Sequence, residues 1–86
     1  MSETIVMNIN GERVSFDITT DNHERLINEM MPNNKVGPMH NFLVRSVTKE
    51  SKETLMPFLK NPTSVVTIGQ HLIEKFIPQL EITVGE

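Results

Sequence analysis

Two alternating runs, Thr4 to Ile9 and Glu12 to Ile18, meet at Asn10 and Gly11, and that junction constrains the fold more than any other feature of the chain. An Asn-Gly pair favours the type I′ turn, whose two central residues need positive φ and whose twist suits a two-residue β-hairpin. Such a turn fixes the register, setting Met7 opposite Val14, Ile5 opposite Phe16, Asn8 opposite Arg13 and Thr4 opposite Asp17. One face of the hairpin is then apolar and the other polar. The turn and the apolar pattern demand the same pairing independently, and the apolar face needs a cover.

Helical periodicity supplies that cover. Thr20 or Asp21 can cap a first helix in which Leu26, Ile27, Met30 and Met31 form a stripe, ended by Pro32. Pro32 to Gly37 reads as a loop, and Pro38 suits the first position of a second helix running to Val47. Its buried side is Met39, Phe42, Leu43 and Val47, with Arg45 and Ser46 facing out. Between Thr48 and Lys60, Pro57 forbids an uninterrupted helix. The winding either kinks there or restarts near Thr54, and we take the restart, with Leu55, Phe58 and Leu59 inward. Asn61 and Pro62 then open the strongest helix, with Val65, Ile68, Gly69, Leu72, Ile73 and Phe76 on one stripe and Pro78 closing it. Leu80, Ile82 and Val84 alternate with polar neighbours as a last strand. The expected class is therefore α+β: an N-terminal β-hairpin, three to four short helices, and a C-terminal β-strand completing a small antiparallel sheet.

With 86 residues and no internal repeat, the chain has room for one domain, residues 1–86, with a modest core. It has no cysteine, so no disulfide or thiolate metal site reinforces it and nothing points to an oxidising compartment. Apolar runs are short and no basic segment precedes Glu3, so neither a membrane span nor a secretory signal is expected, and the cytoplasm is the expected location. Eight basic against eleven acidic side chains give a net charge of -3, which argues against a protein that neutralises many phosphates. The charge is uneven, because residues 35–60 hold five basic and two acidic side chains whereas residues 1–34 hold two and six.

No side chains stand in a pattern that chemistry needs. His23, His40 and His71 fall on three different predicted helices, with no pair at the i, i+4 spacing that puts two imidazoles on one metal. The four glycines are scattered, so no loop cradles a phosphate. Neither a metal nor an organic cofactor is expected, and a non-enzymatic role follows. Two features lean toward binding. Met30, Met31, Met39 and Met56 lie near the middle loops, where flexible thioethers can fit varied apolar partners, although the helical stripes put each of them inside or at an edge. The small sheet also offers an edge to which another strand can pair.

The segment Pro32-Asn33-Asn34-Lys35-Val36-Gly37-Pro38-Met39-His40-Asn41-Phe42-Leu43 carries a resemblance. It is similar to the Pro-Asn-x-Lys-Val-x-Pro-x-His-Asn-Phe-Leu core of the small tail assembly chaperones of tailed bacteriophages and prophages. The likeness extends to the hairpin with its Asn-Gly turn, a Lys- and Glu-rich helix over 49–60, and a closing segment like Leu80 to Val84. It implies a non-catalytic protein that coats the long helical tape measure protein before the tail tube polymerises, then leaves and is absent from the mature virion. Other tail assembly proteins and further copies of itself are partners the resemblance also implies, as is a longer translational product sharing this N-terminus. A rod with exposed apolar stripes self-associates unless a temporary binder covers them, and many weak sites along one rod suffice. The family brings no assigned contact residues, so the central loop and its neighbours are the candidate partner-binding surface: Asn33, Asn34, Lys35, His40, Asn41 and Arg45.

Two rival readings remain at this stage. Helices near 38–47 and 54–60 with a short joint could mimic a helix-turn-helix DNA-binding regulator, although no helix face gathers Lys and Arg. A structural tail component is the other. Duplex binding that weakens steeply with salt marks the first, and presence in purified particles marks the second.

Overall fold

The computed structural model describes residues 2–31, 33–76 and 85. It opens with strands β1 (Ser2–Ile9) and β2 (Glu12–Thr19), joined at Asn10 and Gly11. Both turn residues hold positive φ, 52° and 84°, as the type I′ turn requires. The antiparallel register is the expected one, with Ile5 opposite Phe16, Met7 opposite Val14, Asn8 opposite Arg13 and Thr4 opposite Asp17. Across the polar face Thr4 Oγ1 donates to Asp17 Oδ1 at 2.6 Å. On the apolar face Ile5, Val14, Phe16 and Ile18 are buried and Met7 and Ile9 pack at the rim.

Helix α1 (Thr20–Glu29) follows without a loop. Its cap is Thr19, whose Oγ1 accepts from the Asn22 amide at 3.0 Å, one position before the expected Thr20 or Asp21. The last residue of β2 can serve because its extended backbone already has the geometry of an N-cap. Leu26 is buried and Met30 half-buried, but Ile27 and Met31 of the expected stripe stay exposed. The helix ends at Glu29, so Met31 lies beyond it, in a turn where its amide and carbonyl bond to Asn34 at 3.4 and 3.1 Å. Helix α2 (Val36–Ser46) begins two residues before Pro38, which still falls in a first turn where no amide is needed. Met39, Phe42 and Leu43 are buried as expected. The outward placement of Arg45 and Ser46 is not: Ser46 is 1% exposed and Arg45 is half-buried. Ser46 stands three, four and seven residues after Leu43, Phe42 and Met39, on the same buried stripe, so helical spacing itself turns it inward; Arg45 lies on the flank that faces α1, where it approaches Glu29.

The segment between α2 and the last helix winds continuously. A 3₁₀ turn, Lys49–Ser51, runs into α3 (Lys52–Leu55) and then into a second 3₁₀ stretch, Met56–Lys60. The winding does not restart near Thr54 but tightens to 3₁₀ form at Met56, with Pro57 in the first turn of that stretch. Leu55 and Leu59 are buried and Phe58 packs beside them. Helix α4 (Pro62–Phe76) starts as expected, with Asn61 Oδ1 accepting from the Thr63 amide at 2.9 Å. Val65, Ile68, Gly69 and Leu72 form its buried side. The strand expected over Leu80 to Val84 lies outside the described residues, and the described sheet has two strands, so a third is not borne out.

Two contacts lock these layers. The outer edge of β2 is taken up by the joint after α2, where Phe16 bridges Val47 and the Thr48 amide donates to Ser15 O at 3.0 Å. Ser51 Oγ accepts from the Ser15 amide at 3.0 Å, and the Ser15 hydroxyl lies 2.7 Å from Thr48 Oγ1 and 3.1 Å from Ser51 Oγ. This three-hydroxyl clasp satisfies backbone that an edge strand otherwise leaves to water or to another chain. The second lock is Gly69, where a Cβ would collide with Sδ and Cγ of the buried Met39, so α2 and α4 interlock through a methionine seated against bare backbone.

Two outcomes follow for stability. Gly69→Ala gains about 1 kcal/mol of helix propensity but loses about 1–3 kcal/mol by overpacking, so it destabilises the wild-type chain; in a Met39→Ala background the same change stabilises, which denaturant midpoints of the four proteins will show. The Ser46 hydroxyl is buried with no hydrogen-bond partner. Ser46→Ala therefore leaves the midpoint unchanged or raises stability by about 1 kcal/mol, the reverse of the usual effect of a buried substitution.

Candidate functional site

The six candidate residues lie in the turn before α2 and along that helix, and they do not form one cluster. Asn33, Asn34 and Lys35 are exposed in the turn that leads into α2. Asn41 is exposed midway along α2, and Arg45 lies in its last turn. At about 1.5 Å of rise per residue, Arg45 stands about 15 Å along the axis from Lys35. Asn41 and Arg45, four residues apart, share one flank of α2, while Val36 and His40 share the other. Gly37 and Val44 lie between, so the outward strip of α2 is narrow, low and only partly polar.

Each flank meets a different neighbour. On one side Arg45 Nη2 approaches Glu29 Oε1 of α1 at 3.9 Å. On the other side His40 is half-buried over a shallow depression of about 390 Å³, lined also by Glu53, Met56, Pro57, Leu59 and Lys60. Met56, 41% exposed, and Pro57 give this depression an apolar wall, with a carboxylate and an ammonium among its lining. Pro57 and Glu53 also line a second hollow, shared with Glu12, Thr54 and Phe58, so Pro57 forms a ridge between the two. A wider hollow beside α1 is lined by Thr19, Asp21, Asn22, Glu24, Arg25 and Asn28, a hydrophilic set unsuited to an apolar client.

Sequence reading missed Pro57, Leu59, Glu53 and Lys60 as candidate lining, whereas Met56 is one of the four methionines that lean toward binding. The signal that marks Met56 is its offset from the Leu55, Phe58, Leu59 stripe, which turns it outward. The four central methionines divide evenly: Met39 is buried and Met30 half-buried, whereas Met31 is 62% exposed and Met56 is 41% exposed. The expectation that all four sit inside or at an edge is corrected for the latter two. With Ile27 at 57% and Val36 at 40%, Met31 gives the corner between α1 and α2 a second apolar exposure.

The imidazoles stay apart. His23 packs its ring on Phe76, centroids 5.2 Å apart, and its Nε2 is buried without a hydrogen-bond partner. His71 is exposed on α4. Among the described residues no group of three or more His, Asp or Glu is placed to hold a metal ion, and no helix is long and apolar enough to cross a membrane. What the α2 side offers is shape and mixed polarity: a groove for an apolar ridge, with charged groups on either hand.

The sequence matches a family model described as phage tail assembly chaperone over residues 5–86. It is 30% identical over 86 aligned residues, 98% of this chain and 82% of the relative, to an uncharacterized 11.3 kDa protein in the lys 3′ region of Haemophilus phage HP1 (strain HP1c1). No solved structure matches the chain.

Proposed function

This chain belongs to the phage tail assembly chaperone family, and we propose that it works by holding the tape measure protein during tail morphogenesis, as a binding module without catalysis. The client is a long amphipathic helix, and the apolar ridge of that helix lies along the outward strip of α2 and into the depression beneath His40. Other tail assembly proteins meet the same complex in the host cytoplasm, and the chaperone departs before the virion is complete.

The observation that carries this reading is the depression itself. Met56, Pro57 and Leu59 line it as an apolar wall, His40 closes one side, and Glu53 and Lys60 supply polar margins. An amphipathic helix in a hydrophobic groove is a recurrent mode of peptide recognition, in which anchors at i, i+3, i+4 and i+7 carry the affinity. The adaptable Met56 side chain tolerates successive client segments of differing sequence. Asn41 and Arg45 extend the surface along α2, and Asn33, Asn34 and Lys35 border its far end. Modest affinity at each such site, repeated along one rod, gives strong yet reversible coating.

Co-expression tests the reading. The tape measure protein of the phage that encodes this chain is expected to move from the insoluble to the soluble fraction when the wild-type chain is present, and to co-purify with it. Met56→Asp, at an exposed position, is expected to change folding stability by less than about 0.5 kcal/mol while weakening capture by about 10-fold or more. Unchanged client solubility with the wild-type chain contradicts the reading, and recovery of the chain from purified particles assigns it to the tail structure instead.

A further inference from the structure

The two edges of the hairpin are unlike. On β2 the amide and carbonyl of Ser15 point outward and are taken by Ser51 Oγ and by the Thr48 amide. Val6 stands directly opposite Ser15, so its own amide and carbonyl point out of the far edge, and by alternation so do those of Thr4 and Asn8. Among the described residues nothing pairs with them: the sheet has two strands, and the bridges outside it join Phe16 to Val47 and Met31 to Asn34. Free edges are normally blunted by Lys, Pro, a bulge or a short strand. Strand β1 has none of these, being 8 residues long, in unbroken register with β2, and charged at Glu3 alone. The strand whose edge is already closed carries Glu12, Arg13 and Asp17. On the open strand Val6 is 46% exposed on the face away from the helices, and Met7 and Ile9 are half-buried at the rim of the covered face.

We propose that β1 is a self-association edge: it pairs antiparallel with β1 of a second copy, about a two-fold axis at Val6, to make a four-stranded sheet. This register sets Val6 against Val6 of the second copy, Thr4 against Asn8, Ile5 against Met7 and Glu3 against Ile9. The outward amides and carbonyls of Thr4, Val6 and Asn8 in both copies then all find partners. Residues directly opposite share a face, so Ile5, Met7 and Ile9 of the two copies continue one apolar floor, while the exposed Val6 side chains cover each other. No like charges meet. The two Glu3 carboxylates stand six positions apart along the ladder, about 20 Å at about 3.4 Å per residue, beyond the screening length of about 8 Å. A second copy fits this edge better than the client does, because a strand edge accepts extended chain and the client is read as a helix. One strand pair buries less than the roughly 1,200 Å² of a stable interface, so the dimer is weak, with a dissociation constant of about 10 μM to 1 mM. The pairing needs no client and is tested apart from the groove. On a rod it would act locally, since two joined copies offer two α2 strips and the second engages at the effective concentration set by the first.

Sedimentation velocity of the full chain, from about 5 μM to 1 mM, is expected to show reversible monomer–dimer exchange. Val6→Lys and Val6→Glu, at an exposed position, are each expected to keep the wild-type circular dichroism and to weaken the dimer by about 10-fold or more, because like charges meet at the axis. An equimolar mixture of the two variants is expected to regain association as a heterodimer, which happens when position 6 faces its own copy and not when the charges act at a distance. Hydrogen exchange at the Thr4, Val6 and Asn8 amides of the wild-type chain is expected to slow as concentration rises. A chain that stays monomeric throughout, or a dimer that neither charged variant weakens, overturns the proposal. So does a mixture that fails to restore the dimer. Protection of those three amides at every concentration assigns the edge to residues of the same chain and overturns it as well. Should either charged variant not fold, Val6→Pro takes its place, since it removes an amide that faces outward; a dimer unaffected by that loss is equally fatal.

Discussion

With positive φ at both Asn10 and Gly11, the hairpin has one register, and that register gathers Ile5, Val14, Phe16 and Ile18 on a single face. A two-stranded sheet is marginal in water unless that face is covered. Burying each such side chain contributes about 1.5–3 kcal/mol, so the helices are recruited to the face by the largest favourable term available to so small a chain. A one-residue slip would turn the same side chains to solvent and leave α2, α4 and the Leu55 to Leu59 segment without a floor. The outer edge of β2 carries the second half of the constraint. By bonding Thr48 and Ser51 to Ser15, it fixes where α2 must end and where the winding toward Pro57 must begin.

The proposed binding surface inherits its geometry from that scaffold. Helix α2 is held from below by Phe42 and Leu43 in the core and from the side by Met39 against the bare backbone of Gly69. Its outward strip is therefore presented on a rigid element, flanked by α1 at Arg45 and by the Met56–Lys60 stretch at His40. Rigid presentation lowers the ordering cost of association, which suits a binder that works through many modest contacts. The same economy accounts for a departure from simple patterning. Met56 is spent on the surface and not in the core.

Much of the hairpin could be read in advance because its signals were local and redundant: a turn dipeptide that dictates φ, and two alternating runs that agree with it. The same holds for α4, where Asn61 and Pro62 start the helix and an unbroken apolar stripe continues it. Reading was poorer wherever a residue answers to several neighbours at once. Periodicity assigned Ile27 and Met31 to a buried stripe, yet Ile27 is exposed on α1, and Met31 lies beyond the helix end at Glu29, exposed in the turn that bonds it to Asn34. The outward reading of Ser46 overlooks that this position continues the Met39, Phe42, Leu43 stripe at helical spacing, where it is buried. Of the candidate binding residues on α2, the family-like motif led to His40 and Asn41, with Arg45 just beyond it; Asn41 is exposed and the other two are half-buried on the flanks of the helix. It could not show that His40 and Arg45 sit on opposite flanks. Nor could it show that Met56, Pro57 and Leu59, distant from the motif in sequence, complete the depression, because that juxtaposition depends on how the 3₁₀ turns bring the chain back past α2.

The central claim is that this fold contributes a surface and no reacting group, and that the surface is the outward side of α2 with the Met56–Lys60 stretch. Backbone amide shifts of the isotopically labelled chain, followed while a helical segment of the tape measure protein is added, test it most directly. The account predicts that the perturbed amides concentrate in residues 36–45 and 53–60, with the strands of the hairpin nearly unmoved. Perturbation confined to the hairpin, or to the hydrophilic hollow beside α1, would contradict it.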